Sequence, residues 1–440
     1  MTTIRSDVLV LGSSLGGLVA AAYLARAGLR VALFEESCLA QRTPLLREPF
    51  LLSGLGTDGP TTRVLRELTL PLLEQREIAA REVAYQVLLP ASRIDVRAGR
   101  RALAHELALH RLVEASVADA WIERMDALAQ RVREEQWNGP STTSRSLAQR
   151  LLVERTPRDA DPPPTLPETP TALVPFVKAQ IAALSALTSD VQTAARPTLV
   201  RAVRDGGFEM PHGGRSFLDL FRRRLLTLHG EIHEIDDFAL VSTRQEIGLE
   251  LRRGRVLGRA LVLAAPRELV RRVAEKGGTL PRWLAPSPPP QRVPARLFRA
   301  DRDALPTGLA RRAVVWTGDP ERAYTLALHR DPQIATVEWM VAAGPGTRAI
   351  SDENPLADLC PFPVKGITPV DPGPAPVWDA DTAELRFHAP QLPPWMDRSP
   401  PVVSVGPDVV PDSGFEGELL AARRAALDLA SRLGAKPVIP

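Results

Sequence analysis

Six residues near the start of the chain, Gly12-Ser13-Ser14-Leu15-Gly16-Gly17, have the small side chains and the spacing of an anion-binding turn. A run from Asp7 to Leu11 leads into them, and the Ala- and Leu-rich stretch Leu18 to Ala27, closed by Gly28, leads out. A second apolar run, Arg30 to Phe34, ends in Glu35-Glu36. The order reads strand, glycine turn, helix, strand, acid, the unit that binds the ADP half of a dinucleotide. Gly12 permits the tight turn, and Gly16 and Gly17 let the helix lie close to the sheet. The unpaired N–H groups and the dipole of the helix start favour a pyrophosphate. Glu35 is placed to accept hydrogen bonds from ribose hydroxyls, with Glu36 beside it. Ser14 stands where the usual pattern has its second glycine; it is small and can donate to phosphate. A turn of this composition also serves for packing alone.

No other cluster carries comparable chemistry. The chain has four lysines, Lys178, Lys276, Lys365 and Lys436, too few and too scattered to define a site. Lys365, in Phe362-Pro363-Val364-Lys365-Gly366, reads as a plain surface lysine. His212, between Pro211 and Gly213, reads either as a substrate or cofactor contact or as a water-exposed turn residue. No Ser/His/Asp arrangement and no metal-ligand spacing is present, so no catalytic residue and no metal site is assigned. Cys38 and Cys360 form no CxxC pair, which fits a reducing cytoplasm.

These residues need a large scaffold, and 440 residues with 44% hydrophobic content supply one. The net charge of +3 is the difference of 55 basic and 52 acidic residues, which argues against a nucleic-acid partner. The abundance of Arg, Ala and Pro reads as the composition of a GC-rich bacterial genome. No signal peptide or run of about 18 apolar residues stands out. The expected placement is cytoplasmic, with peripheral contact at an inner membrane allowed.

Residues 61–75 read as helix and Val83 to Leu89 as a strand. Ala102 to Trp137 reads as a long amphipathic helix broken once, with a lid or apolar-substrate surface as its functional alternative. Prolines cluster over residues 156–175, 281–306 and 344–401, which read as linkers and crossings. Phe176 to Leu187 and Ala194 to Val203 read as helices. Ser216 is the expected cap of a helix over Phe217 to His229. Strands are expected at 231–235, 238–242, 247–252, 261–264, 312–316, 323–329, 334–341 and 402–405, and a helix over Glu418 to Leu433.

Val10 through Leu18, Glu35, Pro211 to Gly214, Gly230-Glu231-Ile232, Ala260 to Pro266, and Val405-Gly406-Pro407-Asp408 through Ala422 form one ordered pattern. It resembles the two-domain FAD-dependent oxidoreductases of the amine oxidase, protoporphyrinogen oxidase and phytoene desaturase group, most closely the phytoene desaturase-like branch. The resemblance implies an α/β fold: a Rossmann-like FAD/NAD(P)-binding domain built from a discontinuous chain, plus a substrate domain of mixed sheet and helices. The first comprises residues 1–85, 205–275 and 400–440; the second comprises 86–204 and 276–399. It implies FAD as cofactor. Gly12, Ser13, Ser14, Leu15, Gly16 and Gly17 line the pyrophosphate, with Glu35 and Glu36 at the ribose. Arg42 with Thr43 approaches the diphosphate, Ile235 borders the adenine, and Ala265 closes the returning strand. Gly406 and Asp408 sit near the ribityl chain, and Phe415, Glu416 and Gly417 present the last helix to the flavin ring. The implied activity is desaturase-like hydride removal from an apolar substrate, an isoprenoid or carotenoid. With no second G-x-G-x-x-G, the electron acceptor is expected to be a quinone or oxygen. Ser14, the Ala40-Gln41 pair before Arg42, and Pro407 depart from the family pattern. They leave a second reading open, a flavin-poor or flavin-free descendant acting as a binding or assembly protein.

Overall fold

The computed structural model describes residues 2–41, 45, 51–138, 168–185, 206–210, 213–236, 238–252, 254–265, 291–301, 303, 305–306, 308–316, 323–329, 336–343, 367–374, 382–386, 400–406, 409–410 and 413–436. In chain order the strands are β1 (Thr2–Leu11), β2 (Val31–Glu36), β3 (Ala79–Ala80), β4 (Val83–Leu89), β5 (Ser92–Arg97) and β6 (Phe208–Glu209). They continue with β7 (Glu231–Ile235), β8 (Ala239–Ser242), β9 (Ile247–Leu251), β10 (Gly254–Leu263), β11 (Gln291–Asp301) and β12 (Arg312–Trp316). The last are β13 (Ala323–His329), β14 (Thr336–Ala343), β15 (Thr368–Pro369), β16 (Thr382–Arg386) and β17 (Val402–Ser404). The α-helices are α1 (Leu15–Arg26), α2 (Pro60–Glu67), α3 (Leu72–Gln75), α4 (Arg100–Leu109), α5 (Ala115–Asn138), α6 (Val174–Leu184), α7 (Gly214–Thr227) and α8 (Gly414–Arg432).

The first sheet runs β7-β2-β1-β10-β9-β8, with β17 also on β10. β7, β2, β1, β10 and β17 are parallel, as a doubly wound nucleotide fold requires. β10 is long enough to serve two neighbours: Gly254 to Gly258 pairs antiparallel with β9, and Leu261 to Leu263 pairs parallel with β17. Both faces of this sheet are covered, so its central strands are apolar throughout. Val8, Val10 and Leu33 face α1, α7 and α8, while Leu9, Leu11 and Phe34 pack with Ile247 and Leu249.

The second sheet runs β15-β11-β14-β13-β12-β4-β5, with β16 on β11. It is antiparallel apart from the β4–β12 pair. Tyr85 and Val87 turn one face toward Leu103, Trp121 and Phe176 of the helical layer. Leu88, Val315 and Trp339 form the core on the opposite face. The expected α/β architecture is therefore present: a Rossmann-like sheet and a mixed sheet-and-helix layer. The expected limit at residue 85 falls within β4, a strand of the second sheet.

Local differences have local causes. The helix expected over 61–75 is two, α2 and α3, because Thr69 takes a left-handed φ of 50° and Pro71 follows. Arg111, at φ 55°, makes the single break foreseen between α4 and α5. Ser216 does not cap α7; Gly213, at φ 69°, lets the helix begin at Gly214, leaving Ser216 inside its first turn. The crossing expected over 281–306 contains the long strand β11, whose Pro294 sits at a register shift against β16. The Ala194 to Val203 helix, the cluster Pro162 to Pro164, Cys360, Lys276 and Lys365 lie outside the described residues.

Candidate cofactor site

The carboxyl ends of the parallel strands converge on the turn after β1. Gly12 N–H donates to Phe34 O at 2.9 Å, Ala264 N–H to Leu11 O at 2.8 Å and Val405 N–H to Leu263 O at 2.9 Å. This lattice brings Gly12, Glu35, Ala265 and Gly406 to one edge, and strand register sets Ile235 against Glu36. Gly12 has φ 107°, and a Cβ on it would lie 3.1 Å from the Ala265 nitrogen. The turn therefore needs glycine both for its conformation and for the approach of β10. A Cβ on Gly16 would fall 2.1 Å from Val405 O, and one on Gly17 2.4 Å from Gly12 O. These two glycines let α1 lie against β17 and its own entry turn.

Ser14 is the N-cap of α1, its Oγ accepting from Gly17 N–H at 3.3 Å. The Oγ closes the helix as an acceptor, which leaves its O–H as a donor. Ser13, 5% exposed, has a buried Oγ with no hydrogen-bond partner among the described residues. Ser404 Oγ, at the end of β17, is also buried without one. Buried hydroxyls are normally satisfied, so two orphans at this edge suit a bound polar group.

Glu35 is held rather than loose. Arg222 of α7 donates Nη1 to its Oε1 at 2.6 Å and Nη2 to its Oε2. The hydrogen bond to Glu35 raises the Arg222 guanidinium above its ordinary pKa. A carboxylate has further lone pairs, so the pair leaves Glu35 able to accept from a ribose hydroxyl. Glu36 is buried and receives the Cys38 thiol at 3.7 Å. Ile235, 5% exposed, lies in the apolar cluster with Leu9, Leu11 and Phe34.

The start of α8 is tightly enclosed. Phe415 joins Phe208 and Phe217, with ring centroids 6.4 and 5.7 Å away. Glu416 accepts from Arg133 Nη2 and from Ser53 Oγ. Gly417 packs on Val410, where a Cβ would lie 2.4 Å from the carbonyl oxygen. Arg42, Thr43, Asp408 and His212 lie outside the described residues. Among the described residues no group of His, Cys, Asp or Glu has a metal-binding arrangement.

The residues gathered here fit the adenosine diphosphate half of FAD: a glycine turn, an orphan hydroxyl and a carboxylate. One contact competes with it. Glu418 Oε1 accepts from Gly16 N–H at 2.8 Å, in the first turn of α1. Neither Glu418, nor Arg133 that pairs with Glu416, nor Arg222 that pairs with Glu35 stood out in the sequence. Each is one charged residue on an ordinary helix, and its partner lies more than a hundred positions away.

No protein-family model and no curated protein matches this chain. Solved structures match over its full length. A putrescine oxidase has a TM-score of 0.56 at 14% identity, covering 98% of this chain and 100% of its own. An oxidoreductase from Methanosarcina mazei has 0.53 at 15% identity, covering 95% and 99%. Cyclohexylamine oxidase from Brevibacterium oxydans has 0.50 at 13% identity, covering 98% and 99%. At these identities the likeness establishes the fold alone.

Proposed function

We propose that the protein is an FAD-dependent oxidoreductase that removes hydride from an apolar substrate in the manner of a desaturase. The observation that carries the reading is the β1–α1–β2 edge, where Gly12 at φ 107°, the orphan Ser13 hydroxyl and Glu35 stand together. Gly12, Ser13, Glu35 and Ile235 would hold the adenosine diphosphate half, and Gly406 with the start of α8 the remainder. When bound, the flavin supplies the hydride acceptor, and the protein's part is to bind, orient and exclude water. The oxidases that share this fold support redox chemistry of that kind.

An apolar substrate is supported by the second sheet. Leu297, Ala327 and Met340 occupy one face of β11, β13 and β14 and pack with Leu45, from the chain after β2. A quinone or oxygen is the acceptor in this reading, since the sequence has one dinucleotide turn. Among the described residues no helix is long and apolar enough to cross a membrane. Peripheral contact is supported by Leu72 and Leu73 of α3, 76% and 74% exposed, with exposed Arg66 and Arg76 on either side in sequence.

The second reading, a flavin-free binding or assembly protein, is favoured by one observation: Gly16 N–H already has an anionic partner in Glu418. The absorption spectrum of the purified protein, with FAD added if it is colourless, separates the two. Flavin bands near roughly 370 and 450 nm that survive desalting and bleach with a reductant are expected from the chemistry of the isoalloxazine. A protein that stays colourless after FAD is added rules out the oxidoreductase.

A further inference from the structure

The first turn of α1 holds an anion supplied by the chain itself. Glu418 reaches from α8 to α1 and accepts from Gly16 N–H at 2.8 Å. Its Cγ and Oε1 each lie 3.1 Å from the point a Cβ on Gly16 would occupy, so the side chain sits directly against the turn. The next N–H group, of Gly17, is taken by Ser14 Oγ. A helix start concentrates partial positive charge, and a carboxylate and a phosphate compete for it.

The same turn also holds an unsatisfied hydroxyl. Ser13 Oγ is buried, at 5% residue exposure, and has no partner among the described residues. A turn closed purely for packing would leave neither an orphan hydroxyl nor a carboxylate drawn in from another helix. Glu418 is only partly buried, so its side chain has solvent to turn into.

We infer that Glu418 is a displaceable internal anion that must leave Gly16 before a dinucleotide diphosphate can take the same N–H group, and so sets the affinity for that cofactor. The inference rests on the dinucleotide reading of the turn. Glu418→Gln keeps the length and an acceptor oxygen but removes the charge, whereas Glu418→Ala vacates the position.

The test is calorimetric titration of the full-length protein, Glu418→Gln and Glu418→Ala with FAD and, separately, with inorganic pyrophosphate. Urea unfolding reports whether each variant is folded. Removing one negative charge beside a diphosphate is expected to tighten FAD binding by about tenfold or more in both variants. Pyrophosphate binding is expected in Glu418→Ala. Equal FAD affinity in all three folded chains overturns the inference and leaves the flavoprotein reading standing. FAD binding by the variants alone supports the inference and removes that reading for the natural chain. No binding of FAD or pyrophosphate by any of the three overturns both.

Discussion

Arg133 and Glu416, 283 positions apart, form a buried ion pair in which Nη2 lies 2.9 and 2.8 Å from the two carboxylate oxygens. The side chains are 4% and 6% exposed. Ser53 Oγ donates to the same carboxylate at 3.0 Å. α5 begins against the second sheet and ends on α8 of the first, so this pair pins one layer to the other. Two turns further along α8, Arg423 lies 4.0 Å from the Trp137 ring centre and bonds to Glu67.

Breaking that pair from one side leaves a buried charge. Arg133→Leu is expected to lower stability by about 3–5 kcal/mol, and Arg133→Leu with Glu416→Leu to recover much of the loss. Urea unfolding of the two variants, compared with the parent, measures both. An additive double variant would mean that the ion pair does not couple the layers.

The glycines of the first unit separate crowding from backbone strain. At Gly17 a Cβ would meet Gly12 O at 2.4 Å and Ala264 Cβ at 2.6 Å. Gly28, at φ 84°, has nothing within 4 Å. Gly28→Ala is expected to cost about 1–2 kcal/mol from the left-handed backbone alone. Gly17→Ala is expected to cost more than about 2 kcal/mol, because backbone must move. Denaturant midpoints in the reverse order would contradict the close helix–turn contact.

Two phenols make folding sensitive to alkali. Burial raises the pKa of Tyr23, and the Glu67 carboxylate beside it raises it further. Burial likewise raises that of Tyr85. In both, the folded pKa exceeds the unfolded one, so above about pH 10 the unfolded chain binds fewer protons and stability falls. Below that pH their contribution is fully present. Phenolate absorbance from these residues is expected to rise together with loss of helical circular dichroism, and Tyr23→Phe and Tyr85→Phe each to reduce the rise. Phenolate formation in the folded protein near pH 10 would contradict their burial.

Leu72 and Leu73 offer a check on peripheral contact. Replacing both with Ser is expected to reduce co-sedimentation with anionic vesicles by roughly tenfold or more, since two buried leucines supply several kcal/mol. Stability should be unchanged, because both side chains are exposed. Equal sedimentation of parent and variant would remove the membrane contact from the proposed function.

The β1–α1–β2 unit was legible because its signals are local. Apolar strands, a glycine at the turn and a closing Gly28 lie within thirty-six residues. Gly12, Gly16 and Gly17 could be assigned to the turn, and Glu35 to the strand end, without knowing what packs on them. A single break within Ala102 to Trp137 was expected, and the positive φ of Arg111 places it. β11 was not legible: Pro294 argues against a strand, Arg292, Arg296 and Arg299 recur at helical spacing instead of alternating, and its state is decided by β14, β15 and β16 alongside it. Ser216 looked like a cap because its type suits one, but the positive φ of Gly213 moved the helix start.

By itself the sequence determined the α/β class and outlined most of the helices and strands, because strand and helix periodicity are properties of neighbouring residues. Tertiary structure alone decided which groups the turn meets. Glu418 and Gly16 are 402 positions apart, Arg222 and Glu35 are 187 apart, and Arg133 and Glu416 are 283 apart. A charged side chain carries no mark of its partner in the chain around it; only packing α8, α7 and α5 onto the sheet edge assigns each charge its counterpart.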